Sequence, residues 1–166
     1  MEREADNGKQ AVRTDGVYHD QSVVSDEVID ANGHVNNVAY VQWMQDVAVR
    51  HFTAMGGIDL MHAAGGAWVV RSHRIEYLNP AFAGDRIEAT TWVADLRRVR
   101  SLRRYQFARP SDGILLAKGE TEWVFIDAET GRPRSIPEQI RRAFTLVPDK
   151  SEAACLPKEK QNGHTD

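Results

Sequence analysis

The sequence predicts an α+β fold in which a curved antiparallel β-sheet wraps round one long helix. Three observations predict it: one helical segment rich in apolar residues, about four long segments of alternating polarity after it, and tight turns between those segments. Connections of hairpin length join antiparallel strands. Because a single helix covers only one face of a sheet, a sheet curved round that helix is the most economical arrangement.

The helical segment begins near Val38. Apolar residues recur along it at helical spacing, as Met44, Ala48 and Phe52 do. Three further apolar residues widen this stripe: Tyr40, Trp43 and Val47. A helix that is apolar over most of its surface is usually enclosed by other elements. The glycine pair at residues 56–57 predicts where the helix ends.

Strand patterns surround this helix. A short strand is expected at residues 17–24, and longer ones at residues 68–78, 87–93, 99–107 and 114–127. Pro80 follows the first of the longer runs and would interrupt a ladder of hydrogen bonds there. Residues 110–113 and 128–131 have the composition of turns. The expected order is therefore strand, helix, then four strands joined mostly by turns.

Length and charge limit the other possibilities. The chain has 166 residues, which suits one domain, and we place it at residues 17–147. Residues 1–16 and 148–166 are polar and without pattern, so we expect mobile tails. A formal net charge of −3 argues against nucleic-acid binding. No apolar run suits a membrane span or a secretory signal, so we expect a cytoplasmic protein without membrane association.

The segment Asp30-Ala-Asn-Gly-His-Val-Asn-Asn37 lies immediately before the predicted helix. Asn36 or Asn37 is a natural N-cap, and the free amides and dipole of a helix start favour an oxygen that gains negative charge. A carboxylate held nearby can attack a carbonyl or deprotonate a water, which suits Asp30. The same residue types are also common in turns and caps, so composition alone indicates a structural role more often than a catalytic one.

Residues 30–43 resemble the signature of the 4-hydroxybenzoyl-CoA thioesterase-like family and of the related acyl-ACP thioesterases. In the first group, Asp-x-x-Gly precedes the central helix. In the second, Asp-x-Asn-x-His-Val-Asn-Asn is followed by an aromatic residue and a tryptophan. The matching residues here are Asp30, Asn32, His34, Val35, Asn36, Asn37, Tyr40 and Trp43. The likeness continues more loosely over most of residues 17–145.

The resemblance implies a hotdog-fold thioesterase acting on acyl-CoA or on an acyl thioester of acyl carrier protein (acyl-ACP). Asp30 matches the catalytic carboxylate, as nucleophile or general base. Asn32 and His34 match polar residues with catalytic or orienting roles, and the backbone amide of Asn37 matches the donor that polarises the thioester carbonyl. Plant acyl-ACP thioesterases have a further Glu-Cys pair in a later strand, and residues 97–104 contain neither residue.

The resemblance also implies a homodimer or a dimer of dimers, with active sites at the subunit interface. Edge strands point the same way, because a single sheet round one helix leaves edges that proteins usually cover by association.

Two other functions remain open. A hotdog hydratase or dehydratase usually carries Asp-x-Asn-Pro-x-His, whereas this segment lacks the proline and has another spacing. A non-catalytic acyl-CoA-binding module would not need a carboxylate at the helix start. The sequence has no Gly-x-Ser-x-Gly elbow, and His51, His62 and His73 show no metal-ligand spacing. We therefore expect neither a metal nor a cofactor.

Two further groups of residues have open roles. Residues 97–104 contain five arginines, which form either a solvated strand face or a basic patch that meets coenzyme A phosphates or an acidic carrier protein. Four large residues are candidates for an acyl pocket, although core residues need no such role: Trp43, Met44, Met55 and Trp68.

Overall fold

A computed structural model describes residues 13–148. Its elements, in chain order, are β1 (Arg13–Thr14), β2 (Val17–Val23), α1 (Asn37–Ala54), α2 (Gly57–Ala63), β3 (Gly66–Tyr77), β4 (Arg86–Leu96), β5 (Arg100–Arg109), β6 (Ile114–Asp127) and α3 (Glu138–Ala143). One turn of 3-10 helix, Asp26–Val28, lies between β2 and α1. Most of the two predicted tails, residues 1–12 and 149–166, lies outside the described residues, and the domain limits stay a prediction.

All described strands form one sheet in the order β1-β2-β4-β5-β6-β3. Every neighbouring pair is antiparallel, as the turn lengths predict. The long strand β3 lies at one edge beside β6, although β4 follows it in sequence. The two-residue strand β1, which falls within the predicted N-terminal tail, forms the other edge.

Alternation along the strands gives the sheet two different faces. The face towards α1 carries fully buried side chains such as Tyr105, Phe107 and Phe125. On the opposite face charged residues of neighbouring strands pair, as in the ion pair between Arg100 and Glu122 at 2.9 Å. Successive side chains of a strand point to opposite faces, so the apolar set of each strand packs against α1.

Helix α1 packs on the apolar face of the sheet. Its buried residues are Ala39, Tyr40, Met44, Val47, Ala48, His51 and Phe52, which include much of the predicted stripe. The thioether of Met44 rests on Gly119 of β6, where an added Cβ would lie 2.8 Å from the sulfur. Val38 and Val49 are 75% and 51% exposed, so this single chain does not enclose the helix on all sides.

The glycine pair ends α1 as predicted. The helix stops at Ala54, and Gly56 adopts a φ of +72°, a conformation that favours glycine. The chain then enters α2, which the sequence did not predict. At Gly57 an added Cβ would lie only 2.1 Å from the ring of Phe52, so α2 can pack closely on the end of α1.

Candidate active site

Residues 30–34 form a tight loop that leads towards α1. Ile29 and Val35 pair as an antiparallel bridge at its base. Within the loop, the Asp30 amide donates to the carbonyl of His34 at 2.8 Å, and the Gly33 amide donates to the carbonyl of Asp30 at 3.0 Å. Gly33 has a φ of +79°, so the turn needs the freedom of a glycine there. The backbone itself therefore brings Asp30, Asn32 and His34 together.

The two oxygens of the Asp30 carboxylate have different surroundings. Oδ1 accepts from the Asn32 amide at 2.8 Å and, over a longer distance of 3.4 Å, from the His34 amide. Among residues 13–148, no donor reaches Oδ2 within hydrogen-bond distance. The side chain is exposed. One oxygen thus stabilises the loop and the other is open to a reactant.

Asn36 caps the start of α1. Its Oδ1 accepts from the Ala39 amide at 2.8 Å, and its Nδ2 donates to the Val28 carbonyl at 2.9 Å. Asn37 is the first helical residue and is exposed. The first amides of a helix have no acceptor within the helix, and the Asn37 amide finds none elsewhere in the described part of the chain. It is therefore available to an acceptor outside the chain, and its role as donor to a thioester carbonyl stays a prediction.

Exposed apolar side chains surround this helix start, and the sequence did not single them out. Four of them form what we call the apolar rim: Val38, Tyr77, Leu78 and Phe82, which are 43–75% exposed. The Phe82 ring meets His34 edge-on at a centroid distance of 5.3 Å. The Tyr77 hydroxyl donates to the Asn37 carbonyl at 3.0 Å. Tyr77 lies in a predicted strand, but the strand pattern does not tell which element its side chain meets.

Tyr40 is a buried residue near the start of α1 and packs against the sheet. Its ring packs edge-on against Trp43, Tyr77 and Phe107, with centroid distances of 5.0, 5.5 and 5.4 Å. Burial, with a smaller effect of the nearby Tyr77, raises the pKa of Tyr40 to about 12. Tyr40 therefore stays protonated at neutral pH and stabilises the helix start through packing.

An ion-pair network supports the segment that carries Phe82. The Asp85 carboxylate accepts from the Phe82 amide at 3.0 Å and from Arg109 at 2.9 Å. Arg109 also pairs with Asp112 at 2.8 Å, and its hydrogen bond lowers the pKa of Asp112. The turn between β5 and β6 is thus tied to the loop beside His34.

A cavity of about 190 Å³ lies towards the other end of α1. Its lining comprises Ala48, Val49, Phe52, Ile58, Met61, Ala67, Trp68, Ser101, Arg103, Trp123 and Phe144. Trp68 was an expected pocket residue, whereas Trp43, Met44 and Met55 do not line this cavity. No residue of the 30–37 segment lines it either. The apolar cavity and the predicted catalytic loop are separate within one chain.

The arginines of residues 97–104 do not form a single patch. Arg97 pairs with Asp95 at 2.9 Å, and Arg100 pairs with Glu122 on the charged face. Arg103 is only 4% exposed and lies on the face towards α1, where it donates to His51 Nδ1 at 2.9 Å. The alternation of β5 therefore divides these side chains between two environments.

Histidines elsewhere in the chain have structural contacts. His73 Nδ1 lies 2.8 Å from the Thr121 hydroxyl, and burial lowers the pKa of His73. Within residues 13–148, no three His, Cys, Asp or Glu side chains are grouped to hold a metal ion. No helix in the same range has the length and apolarity to cross a bilayer.

The family model of the thioesterase-like superfamily matches residues 24–144, which include the whole loop and helix start. The chain belongs to the thioesterase-like superfamily. Over 75 residues it is also 29% identical to a chloroplastic acyl-[acyl-carrier-protein] hydrolase from Cuphea viscosissima. That match covers 45% of this chain but only 18% of the relative.

Solved structures share the fold. A 1,4-dihydroxy-2-naphthoyl-CoA thioesterase from Synechocystis superimposes with a TM-score of 0.70 at 18% identity, covering 77% of this chain and 95% of that one. A Staphylococcus aureus hypothetical protein in complex with CoA gives 0.72 at 20% identity, covering 80% and 84%. A Thermus thermophilus hypothetical protein gives 0.69 at 27% identity, covering 76% and 95%. This member of the superfamily therefore has the hotdog thioesterase fold.

Proposed function

We propose that the protein hydrolyses an acyl thioester, acyl-CoA or acyl-ACP, to a carboxylic acid and a free thiol. Membership of the thioesterase-like superfamily supports a thioester substrate. The observation that carries the assignment of the site is the Asp30 carboxylate, which is exposed, is fixed through Oδ1 and has a free Oδ2. It precedes a helix start whose amide at Asn37 has no acceptor in the described chain.

In this proposal Asp30 is the nucleophile or general base, and the helix start stabilises the negative charge that develops. As a nucleophile, Oδ2 attacks the thioester carbonyl carbon, the C–S bond breaks, the thiolate leaves, and water then hydrolyses the anhydride. As a general base, Oδ2 takes a proton from the water that attacks. In both routes negative charge develops on the carbonyl oxygen, which the Asn37 amide and the helix dipole stabilise.

Asn32 and His34 act as orienting residues in the same proposal. Their amides hold Oδ1 of Asp30, which limits the directions that Oδ2 can face. The His34 ring packs on Phe82 and forms one wall beside the carboxylate.

The identity of the thiol carrier belongs to the proposal as well. The Synechocystis neighbour is a CoA thioesterase and the Staphylococcus neighbour holds CoA, whereas the Cuphea relative acts on acyl-ACP. We therefore propose both carriers as substrate classes and leave their relative rates to measurement.

We propose that the active protein is a homodimer or a dimer of dimers, and that its sheet curves round α1. The apolar rim beside the catalytic loop exposes surface that a partner chain would bury. The twelve-residue strand β3 lies at the edge of the sheet, so backbone groups along its outer side are available for pairing.

A panel of thioesters tests the reaction. Purified protein is mixed with aliphatic and aromatic acyl-CoAs and acyl-ACPs, and released thiol is followed with a thiol-reactive dye. We expect thiol release from at least one class. Enoyl-CoA hydration, followed through loss of the enoyl absorbance, tests the hydratase alternative. Tight acyl-CoA binding without thiol release would instead indicate a non-catalytic binding module.

Sedimentation tests the assembly. Val38→Lys adds a charge to the apolar rim and should shift the protein towards monomer with loss of turnover. Gln139→Lys, exposed on α3 and away from the outer face of α1, is the matched control and should change neither. A wild-type protein that stays monomeric and active over a wide concentration range would contradict the proposed assembly.

A further inference from the structure

The cavity towards the end of α1 combines apolar walls with unsatisfied hydrogen-bond donors. Most of its lining is aliphatic or aromatic. Two of the lining residues, Trp68 and Trp123, have buried Nε1 groups. Within residues 13–148 neither forms a hydrogen bond of normal geometry, although Trp123 lies beside the Tyr105 hydroxyl. Buried donors without an acceptor are rare in proteins, because each one loses its hydrogen bonds to water.

Arg103 places a positive charge at the wall of the same cavity. It is 4% exposed, and its Nη1 donates to His51 Nδ1 at 2.9 Å and to the Thr91 hydroxyl at 3.1 Å. Both partners are uncharged acceptors in this arrangement, since a His51 nitrogen that accepts carries no proton. No carboxylate of residues 13–148 forms an ion pair with Arg103. Buried charges in proteins are usually paired, whereas this guanidinium has no counter-ion in the part of the chain that the structure describes.

We propose that this cavity binds a short organic carboxylate, with Arg103 as its counter-ion and the apolar walls around its hydrocarbon body. An anion would supply the missing negative charge and a hydrogen-bond acceptor in one group. A bare inorganic anion fits less well, since it would leave the apolar walls without a partner. The site is separate from the loop at residues 30–34, so it does not depend on the proposed catalytic role of Asp30.

The size of the cavity limits the ligand. An apolar cavity of about 150 Å³ is sufficient for benzene. With about 190 Å³, this cavity suits a carboxylate of the size of benzoate or hexanoate. It is partly open to solvent, so such a molecule can enter without unfolding of the chain.

The four tryptophans provide a direct test. In protein labelled with ¹⁵N, each indole Nε1–H gives one signal, which Trp→Phe variants assign. Titration with hexanoate should shift the signals of Trp68 and Trp123. The signals of Trp43 and Trp92, which do not line the cavity, should stay unchanged. 1-Hexanol, the neutral control, should produce far smaller shifts. Equal shifts with hexanol, or no shift at Trp68 and Trp123, would overturn the proposal.

Variants of β5 test the role of the charge. Arg103→Met keeps the length of the side chain and removes the charge, and should weaken hexanoate binding at least about tenfold. Arg103→Lys should retain part of the affinity. Arg100→Met, on the opposite face of β5, is the matched control and should bind normally. Unchanged affinity in a folded Arg103→Met protein would refute the counter-ion role. If that variant does not fold, the wild-type titration still decides.

The carboxylate can come from two sources, a free acid or the far end of a dicarboxylic acyl group. Non-hydrolysable thioether analogues of adipoyl-CoA and hexanoyl-CoA distinguish them by the same tryptophan signals. Shifts with hexanoate and with neither analogue support a free acid. Shifts with hexanoate and with the adipoyl analogue, but not with the hexanoyl analogue, support a dicarboxylic acyl group. Absence of shifts with every carboxylate contradicts both sources.

Discussion

The two ends of α1 use polar side chains in opposite ways. At its start, Asp30 and Asn36 accept hydrogen bonds from neighbouring backbone amides, and exposed surface surrounds them. Near its end, His51 and Arg103 are buried and hydrogen-bond to each other across the helix–sheet interface. The first end can present a reactive group, whereas the second fixes the helix on the sheet. Substitutions at the two ends should therefore separate turnover from stability.

Asp30→Asn should have the largest effect, and on turnover alone. The asparagine side chain keeps an oxygen that can accept from the backbone N–H groups of Asn32 and His34. It cannot attack a thioester or take a proton from water. We expect turnover to fall by about 10²- to 10⁴-fold, the usual scale for such a group. Thiol release and thermal unfolding, measured on the same preparation, check both halves of this expectation.

Asp26→Asn is the matched control, because Asp26 is an exposed aspartate in the preceding 3-10 turn. It should keep full turnover. If the Asp30 variant folds, binds a non-hydrolysable acyl-CoA analogue and turns over at the wild-type rate, Asp30 has no part in the mechanism.

Phe125→Ala should show the converse pattern near the other end of α1. Phe125 is fully buried, packs edge-on against Trp68 at 5.1 Å and belongs to the cluster around Phe52. Removal of a buried phenyl ring costs about 3–5 kcal/mol of unfolding free energy. Phe82→Ala, at an exposed ring beside the loop, should cost less than about 1 kcal/mol. Urea denaturation compares the two, and equal losses would contradict the contrast between the ends.

Asn36→Ala should have an intermediate effect. It removes the cap on the Ala39 amide and the bond to the Val28 carbonyl, which should lower stability by about 1–2 kcal/mol. Asn36→Asp retains the capping oxygen and should recover most of that loss. Chemical denaturation of the two variants checks the order. Two equally unstable variants would show that the bond to Val28, rather than the cap, holds the helix start.

Lowering the pH should have the smallest effect on the free energy of unfolding, and we expect it to act through His73. Burial holds the pKa of His73 below its ordinary value of 6.5, so the unfolded chain binds a proton more readily than the folded one. The free energy of unfolding should therefore fall as pH is lowered from 6.5 towards the folded pKa. His73→Gln should flatten that part of the pH profile, while exposed His62→Gln should not. Parallel profiles for wild type and His73→Gln would remove His73 as the cause.

Much of the fold could be predicted because turns and glycines mark the ends of its long elements. Strand β6 occupies residues 114–127 as predicted, since turn residues precede and follow it. Helix α1 ends before Gly56 for the same reason. Helices α2 and α3 have seven and six residues, too few for a helical period to stand out.

The loop at residues 30–34 was also foreseeable, because all its members are close in sequence. Contacts between distant elements were not. The bond from Tyr77 to Asn37 depends on where β3 lies relative to α1. Burial of Arg103 depends on which face of the sheet the odd-numbered residues of β5 point to. A run of arginines does not reveal that face. The cavity, formed by six separate parts of the chain, could be recognised only in the folded protein.

The absence of a side chain at Gly119 makes room for the middle of α1. An added Cβ there would lie 2.8 Å from the sulfur of Met44 and 2.9 Å from its methyl carbon. Both atoms are at the far end of a flexible side chain, so Met44 can change rotamer to accommodate a small substitution while the helix keeps its place. Sheet and helix thus meet at this position through a side chain that adapts. Small changes in β6 are absorbed here before they reach the loop at residues 30–34 or the cavity at the other end of α1.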